Sequence, residues 1–383
     1  MKKRIWLSPP HMSENEAPFI KEAFDTNWIA PSGPNLDRFE QQLSDCLSGH
    51  FVVALNSGTA ALHLALVTLG IKNGDEVICQ SFTFSASVNP VIYQGAKPVF
   101  IDSESDTWNM DPDLLEKAII DRLTLGKKVK AIVVVNLYGM PAKLKKISSI
   151  ASKYAIPLVE DAAESFGSSL DNIPCGTFGS IGIISFNGNK IITTSSGGAL
   201  ITSSSAFISN AKHLASQAKD IAPYYQHSKI GYNYKMSNVL AGIGLGQLMV
   251  LNERIQSRRN NFQRYVDYFS EWNKKGFDIS FQNEPDGYIS NRWLTCILVD
   301  PERNKGLNIE AIRLALEENN IEARLLWKPM HQQPIYDIYP FYSNGTSDRL
   351  FETGLCLPSG SSLTDEDFIR IFECLDNLFK NCL

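Results

Sequence analysis

The sequence predicts an α/β protein, with a large domain on a mostly parallel sheet followed by a smaller α+β C-terminal domain. Three observations predict it. Between Phe51 and Thr202 short apolar runs alternate with helical patterns, the rhythm of strands and their crossover helices. Several of those runs are apolar along their whole length, as expected for strands covered on both faces. After a long helical pattern, strands and helices mix without that alternation. At 383 residues the chain suits two domains of roughly 100–200 residues or one large domain with a smaller companion, and we expect residues 1–250 and 251–383 as the two units.

The elements run in order from the N-terminus. Ser13-Glu14-Asn15-Glu16 has the form of a capping box, opening a helix that runs to about Phe24. Strands are expected at Val52–Leu55, Glu76–Cys79, Pro98–Ile101, Ala131–Val135, Pro157–Glu160, Gly182–Phe186 and Gly198–Thr202. Between them Thr59–Leu69, Leu114–Leu123 and Leu144–Tyr154 have helical spacing. One helical pattern spans Ser237 to Tyr268, with Leu240, Ile243, Leu248, Leu251 and Ile255 on a single stripe. The C-terminal part offers strands at Arg292–Val299 and Ile321–Leu326, and helices at Ile309–Asn319 and Asp365–Phe379.

Composition excludes several classes. Apolar residues are 44% and charged residues 20%, with a net charge of −5; that balance offers no global attraction to nucleic acid or to an anionic membrane. No apolar run approaches the ~18 residues of a membrane span. Lys2, Lys3 and Arg4 are followed by only Ile5-Trp6-Leu7 before Ser8-Pro9-Pro10, too short for a signal-peptide core. The cysteines (46, 79, 175, 296, 356, 374 and 382) are odd in number and lack a C-x-x-C pair. That spacing predicts neither a disulfide framework nor a zinc site, and a cytoplasmic address is expected. Six histidines without H-x-x-x-H or H-x-H spacing give no metal site either.

In open α/β sheets, ligands sit beyond the carboxyl ends of the strands, which singles out four segments. Asn56-Ser57-Gly58-Thr59 passes from a strand into a helix, where backbone N–H groups and a hydroxyl can hold a phosphate, although N-capping is the commoner role. Val159-Glu160-Asp161-Ala162-Ala163-Glu164 puts carboxylates directly after an apolar strand. Asp161 either caps the next helix or holds a cation, a metal or a protonated ring nitrogen. Lys190 is the only charged residue between Asp171 and Lys212. Such a lysine is ordinarily a solvated surface group, but uncharged surroundings suit an amine nucleophile. Gly231-Tyr232-Asn233-Tyr234 precedes the long helix and reads first as turn and capping chemistry. Gly242-Ile243-Gly244-Leu245-Gly246 lies inside a helical pattern and misses the G-x-G-x-x-G spacing, so close helix packing explains it better than a dinucleotide site.

A phosphate cradle at a helix start, a strand-end Asp and a later loop Lys, in that order, are the parts a pyridoxal phosphate enzyme needs. The sequence resembles the DegT/DnrJ/EryC1/StrS family of sugar aminotransferases, within the aspartate aminotransferase-like fold (fold type I), along essentially its whole length. Within that family it is most similar to 4-aminotransferases of UDP-linked 4-keto-6-deoxy-N-acetylhexosamines, as in bacillosamine-type synthesis. The closer likeness lies in Leu7-Ser8-Pro9-Pro10-His11-Met12, Asn27-Trp28-Ile29-Ala30-Pro31, Ser185-Phe186-Asn187-Gly188-Asn189-Lys190-Ile191-Ile192-Thr193-Thr194 and Leu326-Trp327-Lys328-Pro329-Met330-His331.

The resemblance implies pyridoxal 5'-phosphate as cofactor, held by the large domain, and L-glutamate and a nucleotide sugar as substrates. It makes Lys190 the Schiff-base lysine and proton shuttle, Asp161 the partner of the pyridine nitrogen and Glu164 a polar residue near the ring hydroxyl. Gly58, Thr59 and Ser185 match the phosphate cradle, and Phe84 matches the aromatic stacked on the ring. Asn233 matches a residue that reaches the neighbouring subunit's phosphate, implying a homodimer with shared active sites. Asn27, Trp28, Ile29 and Ala30, with Trp327, Lys328, Pro329, Met330 and His331, match regions that hold the nucleotide sugar. One departure is visible: where the family commonly reads Thr-Gly-Glu-Gly-Gly, this chain reads Thr194-Ser195-Ser196-Gly197-Gly198. Lys190 argues against the dehydratase branch, which carries histidine there. A 3-ketosugar aminotransferase and a non-catalytic cofactor-binding regulator are the remaining alternatives. The regulator usually carries a DNA-binding module, for which the chain has neither spare length nor a basic helix-turn-helix segment.

Overall fold

Eight strands form one sheet in the computed structural model, which describes residues 3–383. From one edge they are Phe51–Leu55, Gly198–Thr202, Ile181–Ser185, Leu158–Asp161, Val129–Val135, Glu76–Gln80, Lys97–Ile101 and Phe341–Tyr342. Gly198–Thr202 runs antiparallel to both neighbours, and the remaining pairs are parallel. The seven strands read from the sequence between Phe51 and Thr202 are all present. The eighth comes from the C-terminal part, so the two portions of the chain share this sheet.

The all-apolar runs are explained by burial on both faces. Val53, Leu55, Val77 and Val133 point into one core, and Val52, Ala54, Ile78, Ile132 and Val134 into the other. A second, antiparallel sheet has the order Ile279–Phe281, Thr295–Val299, Gly354–Leu357, Arg324–Leu325. Its core includes Tyr265, Phe269 and Trp272 from the helix Leu251–Asn273, Phe368 from the helix Asp365–Lys380, and Ile5 from the N-terminal segment. Among the described residues no helix is long and apolar enough to cross a membrane.

Four expectations need correction. The long helical pattern is two helices, Asn238–Met249 and Leu251–Asn273, broken at Val250, whose φ −111°, ψ 9° is not helical. The break coincides with the division at 250/251, which we keep as a proposal for where the smaller domain starts. The first helix begins at Glu16, with Asn15 as an N-cap that makes no side-chain capping bond. Only the acidic half of the capping box forms: the Ser13 backbone N–H donates to the Glu16 carboxylate at 3.0 Å, while the Ser13 hydroxyl also turns to that carboxylate. In the smaller sheet Arg292–Val299 pairs only from Thr295, because Arg292 turns at φ 49°, and Ile321–Leu326 shortens to Arg324–Leu325.

The glycine-rich stretch of Asn238–Met249 does serve close packing. A Cβ at Gly244 would lie 2.5 Å from the Phe39 ring, and one at Gly246 would lie 2.5 Å from the Glu16 backbone nitrogen.

Candidate active site

The strand directions decide where chemistry collects. The carboxyl ends of Phe51–Leu55, Glu76–Gln80, Leu158–Asp161 and Ile181–Ser185 and the amino end of Gly198–Thr202 open on one edge of the sheet. There a cavity of about 450 Å³ is lined by residues that include Gly58, Thr59, Phe84, Asp161, Glu164, Ser185, Lys190, Ser196, Trp293 and Trp327. Segments separated by more than 200 residues therefore meet in one place.

Ser57 starts the helix Gly58–Thr68, its hydroxyl accepting the Ala60 N–H at 3.0 Å. Capping does not close the helix start: Ser57 takes one N–H, and Gly58, Thr59 and Ser185 still line the cavity. The approach is close. A Cβ on Gly58 would touch Ser185 Cβ at 3.0 Å, and one on Gly198 would lie 2.4 Å from the Gly58 nitrogen. The Gly197-Gly198 pair after the lysine loop is what lets this turn fit beside the neighbouring strand.

Asp161 ends its strand buried, accepting from the Ser87 hydroxyl at 2.8 Å and the Ala163 N–H at 3.1 Å. Burial pushes its carboxyl up, against Ser87, Ala163 and the Lys190 charge, which pull it down. After it comes a turn, where a helix was one option. Asp161 caps that turn through the Ala163 N–H and also lines the cavity.

Glu164 is also buried, and burial pushes its carboxyl up to about 6, opposed first by the Lys190 charge and then by the Tyr138 N–H, which donates to it at 2.7 Å. The Lys190 ammonium lies 3.8 Å from Glu164 and 4.3 Å from the centre of the Trp293 ring. Burial pushes the Lys190 amine down, while Glu164 and Asp161 hold it up. The outcome is an amine that loses its proton more easily than a surface lysine, with carboxylates close enough to stabilise its charged form.

Phe84 is half-exposed at the rim, its ring 5.2 Å from that of Trp327. Behind them the buried Tyr138 ring lies parallel to both Trp293 and Trp327, and its hydroxyl accepts the Trp327 backbone N–H at 2.9 Å. Arg324 also lines the cavity, tied to Glu322 at 2.6 Å.

Of the residues matched to the nucleotide sugar, only Trp327 lines this cavity. Lys328 is exposed, and Pro329 and Met330 are buried. His331 is held between Ser81 at 2.8 Å and Asp348 at 2.9 Å and stacks on Phe341. Asn27, Trp28, Ile29 and Ala30 are exposed elsewhere, where the carbonyls of Trp28 and Ala30 accept from Asn238. Asn233 is exposed, and its carbonyl accepts from Asn56 at 3.2 Å. A single chain does not bring these residues to the Lys190 cavity. Among the described residues no group of His, Cys, Asp and Glu gathers as metal ligands.

Ser87, Tyr138, Trp293 and Arg324 were not legible as site residues. Ser87 and Tyr138 come after strand ends, the one signal that could have raised them. Trp293 and Arg324 come from the smaller sheet's region and carry no local signature.

The residues present fit pyridoxal phosphate. They supply a buried amine of lowered basicity, a carboxylate for a cationic ring nitrogen, a helix start for a phosphate and an aromatic wall. Comparisons agree. EpsN of Bacillus subtilis (strain 168), a candidate pyridoxal phosphate-dependent aminotransferase, is 49% identical over 383 residues, covering 99% of this chain and 97% of its own. GDP-perosamine synthase of Escherichia coli O157:H7 is 33% identical, covering 99% of this chain and 100% of its own. The PLP-form of Spr1654 from Streptococcus pneumoniae, a candidate sugar aminotransferase, superposes with a TM-score of 0.88 at 26% identity, covering 100% of both chains.

Fold and site together define a pyridoxal phosphate-dependent sugar aminotransferase of fold type I. Residues 10–376 match the DegT/DnrJ/EryC1/StrS aminotransferase family. The chain belongs to that family.

Proposed function

We propose that this enzyme moves an amino group from L-glutamate to the C4 ketone of a UDP-linked 4-keto-6-deoxy-N-acetylhexosamine. The observation that carries the transamination is the grouping of Lys190, Asp161 and Glu164 in one buried cavity at the strand ends; the choice of sugar rests on the likeness of the segments Asn27–Pro31 and Leu326–His331. When bound there, pyridoxal phosphate supplies an electron sink and a carrier for the amino group.

The chain's own residues do the rest. Lys190 would hold the cofactor and, as a free amine, would move a proton at the substrate carbon as general base and then acid. Its lowered basicity keeps a free-amine fraction available, and Glu164 at 3.8 Å steadies the ammonium that forms. Asp161 is the group to hold the pyridine nitrogen protonated, and Ser87 and the Ala163 N–H keep its carboxylate aimed. The Gly58–Thr59 helix start with Ser185 is suited to the phosphate. Trp293 and Trp327, backed by the Tyr138 ring, wall the cavity and exclude water from the reacting centre.

The active unit we propose is a homodimer with shared sites. Supporting it, Asn27–Ala30 and Asn233 are exposed, and Ile221, Tyr225 and Ile230 leave large apolar side chains on the surface of the segment leading to Asn233. Light scattering at a mass of two chains is the expected result.

The substrate test compares kcat/KM for a UDP-linked 4-keto-6-deoxy-N-acetylhexosamine with a GDP-linked 4-keto-6-deoxyhexose and a 3-keto isomer, using L-glutamate and measuring 2-oxoglutarate. A preference of ~10-fold or more for the first supports the reading. Preference for either competitor overturns it.

A further inference from the structure

Arg258, on the helix Leu251–Asn273, is 1% exposed and has no carboxylate partner among the described residues. An unpaired buried charge is costly, so its contacts call for an explanation. Its guanidinium donates to the Trp293 carbonyl, to the Ser359 carbonyl at 3.4 Å and to the Ser8 hydroxyl at 2.9 Å, and its Nε has no partner. The charge acting on it is another cation, Arg254; burial and that neighbour lower its pKa to about 9.

These contacts converge on the lysine loop. The Ser8 hydroxyl donates to the Asn189 carbonyl at 2.7 Å, and the Trp293 indole N–H donates to the same carbonyl at 2.6 Å. Asn189 is the residue directly before Lys190, and the Trp293 ring is the surface against which the Lys190 amine rests at 4.3 Å. One guanidinium thus ties down both the backbone that presents the amine and the ring that limits its swing. Among the described residues the charges acting on the amine are those of Glu164 and Asp161, and Arg258 is not one of them, so Arg258 acts on it through geometry.

We propose that Arg258 is a positioning residue for Lys190, holding the lysine loop and Trp293 in register through the Arg258–Ser8–Asn189 relay. The proposal rests on Lys190 being the catalytic amine. A purely structural arginine would only pin the N-terminal segment to the smaller sheet.

The test uses Arg258→Met, Arg258→Lys and Ser8→Ala, the last removing one link of the relay without touching the helix. Reactivity of Lys190 toward an acylating reagent is measured against pH in cofactor-free protein by peptide mass spectrometry, beside melting temperature and steady-state kinetics. A loosened amine reaches water and regains basicity. Its midpoint should therefore rise by ~0.5 pH unit or more in Ser8→Ala and Arg258→Met, a roughly threefold loss of free amine at fixed pH. kcat should fall ~10-fold or more in Arg258→Met, with KM for both substrates within about threefold, and Arg258→Lys should recover part of it. If Arg258→Met does not fold, Ser8→Ala decides by the same midpoint.

Folded variants with the wild-type midpoint overturn the proposal, even where kcat falls, because the arginine is then scaffold alone. The midpoint is read without cofactor, so its failure is distinguishable from failure of the catalytic assignment, which shows as full turnover without Lys190.

Discussion

Replacing Glu164 by Gln keeps the shape of the side chain and an oxygen for the Tyr138 N–H, and removes one negative charge 3.8 Å from the Lys190 amine. At an effective dielectric constant of about 20 that separation is worth ~4 kcal/mol, or ~3 pH units on the amine. Asp161 remains and the cavity relaxes, so the expected fall is ~1–2 units. The sign comes from the pair: an anionic Glu164 favours the charged amine, and without it the amine is neutral at lower pH. Because burial places the Glu164 carboxyl at about 6, the substitution has its full effect above that pH, where the wild-type carboxylate carries its charge. Acylation of Lys190 against pH in cofactor-free protein measures the midpoint directly. A midpoint that stays put or rises in a folded Glu164→Gln variant would refute the coupling and the electrostatic account of this lysine.

Three further predictions rest on particular contacts. Ser195 adopts φ 71°, a left-handed backbone, where the family commonly has glycine. Ser195→Gly should therefore stabilise the protein by ~1 kcal/mol, read as a higher melting temperature. Gly198→Ala places a methyl 2.4 Å from the Gly58 nitrogen. It should cost ~1–3 kcal/mol in stability and weaken cofactor binding in a fluorescence titration, whereas wild-type affinity would show that the turn has room. Asp161→Asn should keep cofactor binding but lower kcat by ~100-fold or more, checked by single-turnover 2-oxoglutarate release.

The large sheet was legible because its signals are local. Each strand is a short apolar run, and burial on both faces requires that composition, as Val133 and Val134 show by entering opposite cores. Lys190 and Asp161 stood out for a similar reason: charge next to apolar strands is costly unless it has a use. What the sequence did not disclose depends on distant partners. The break at Val250 is a backbone turn inside an unbroken apolar stripe. The eighth strand, Phe341–Tyr342, is two residues that pair with Phe100 and Ile101. Trp293 and Arg258 act on the lysine loop from 104 and about 70 residues away, and no periodicity encodes such a contact. The resemblance supplied the nucleotide-sugar residues, yet a single chain leaves Asn27–Ala30 outside the cavity, which is where the proposed dimer becomes testable.

The measurement that tests the account most directly is trapping of the cofactor on the protein. Wild-type enzyme and Lys190→Ala are each incubated with pyridoxal phosphate, reduced with borohydride, digested and mapped by mass spectrometry, with glutamate-dependent 2-oxoglutarate release measured in parallel. The account predicts a phosphopyridoxyl mass on the Lys190 peptide of the wild type, none on the variant, and turnover only in the wild type. A label on another lysine, or glutamate turnover by Lys190→Ala, would contradict it.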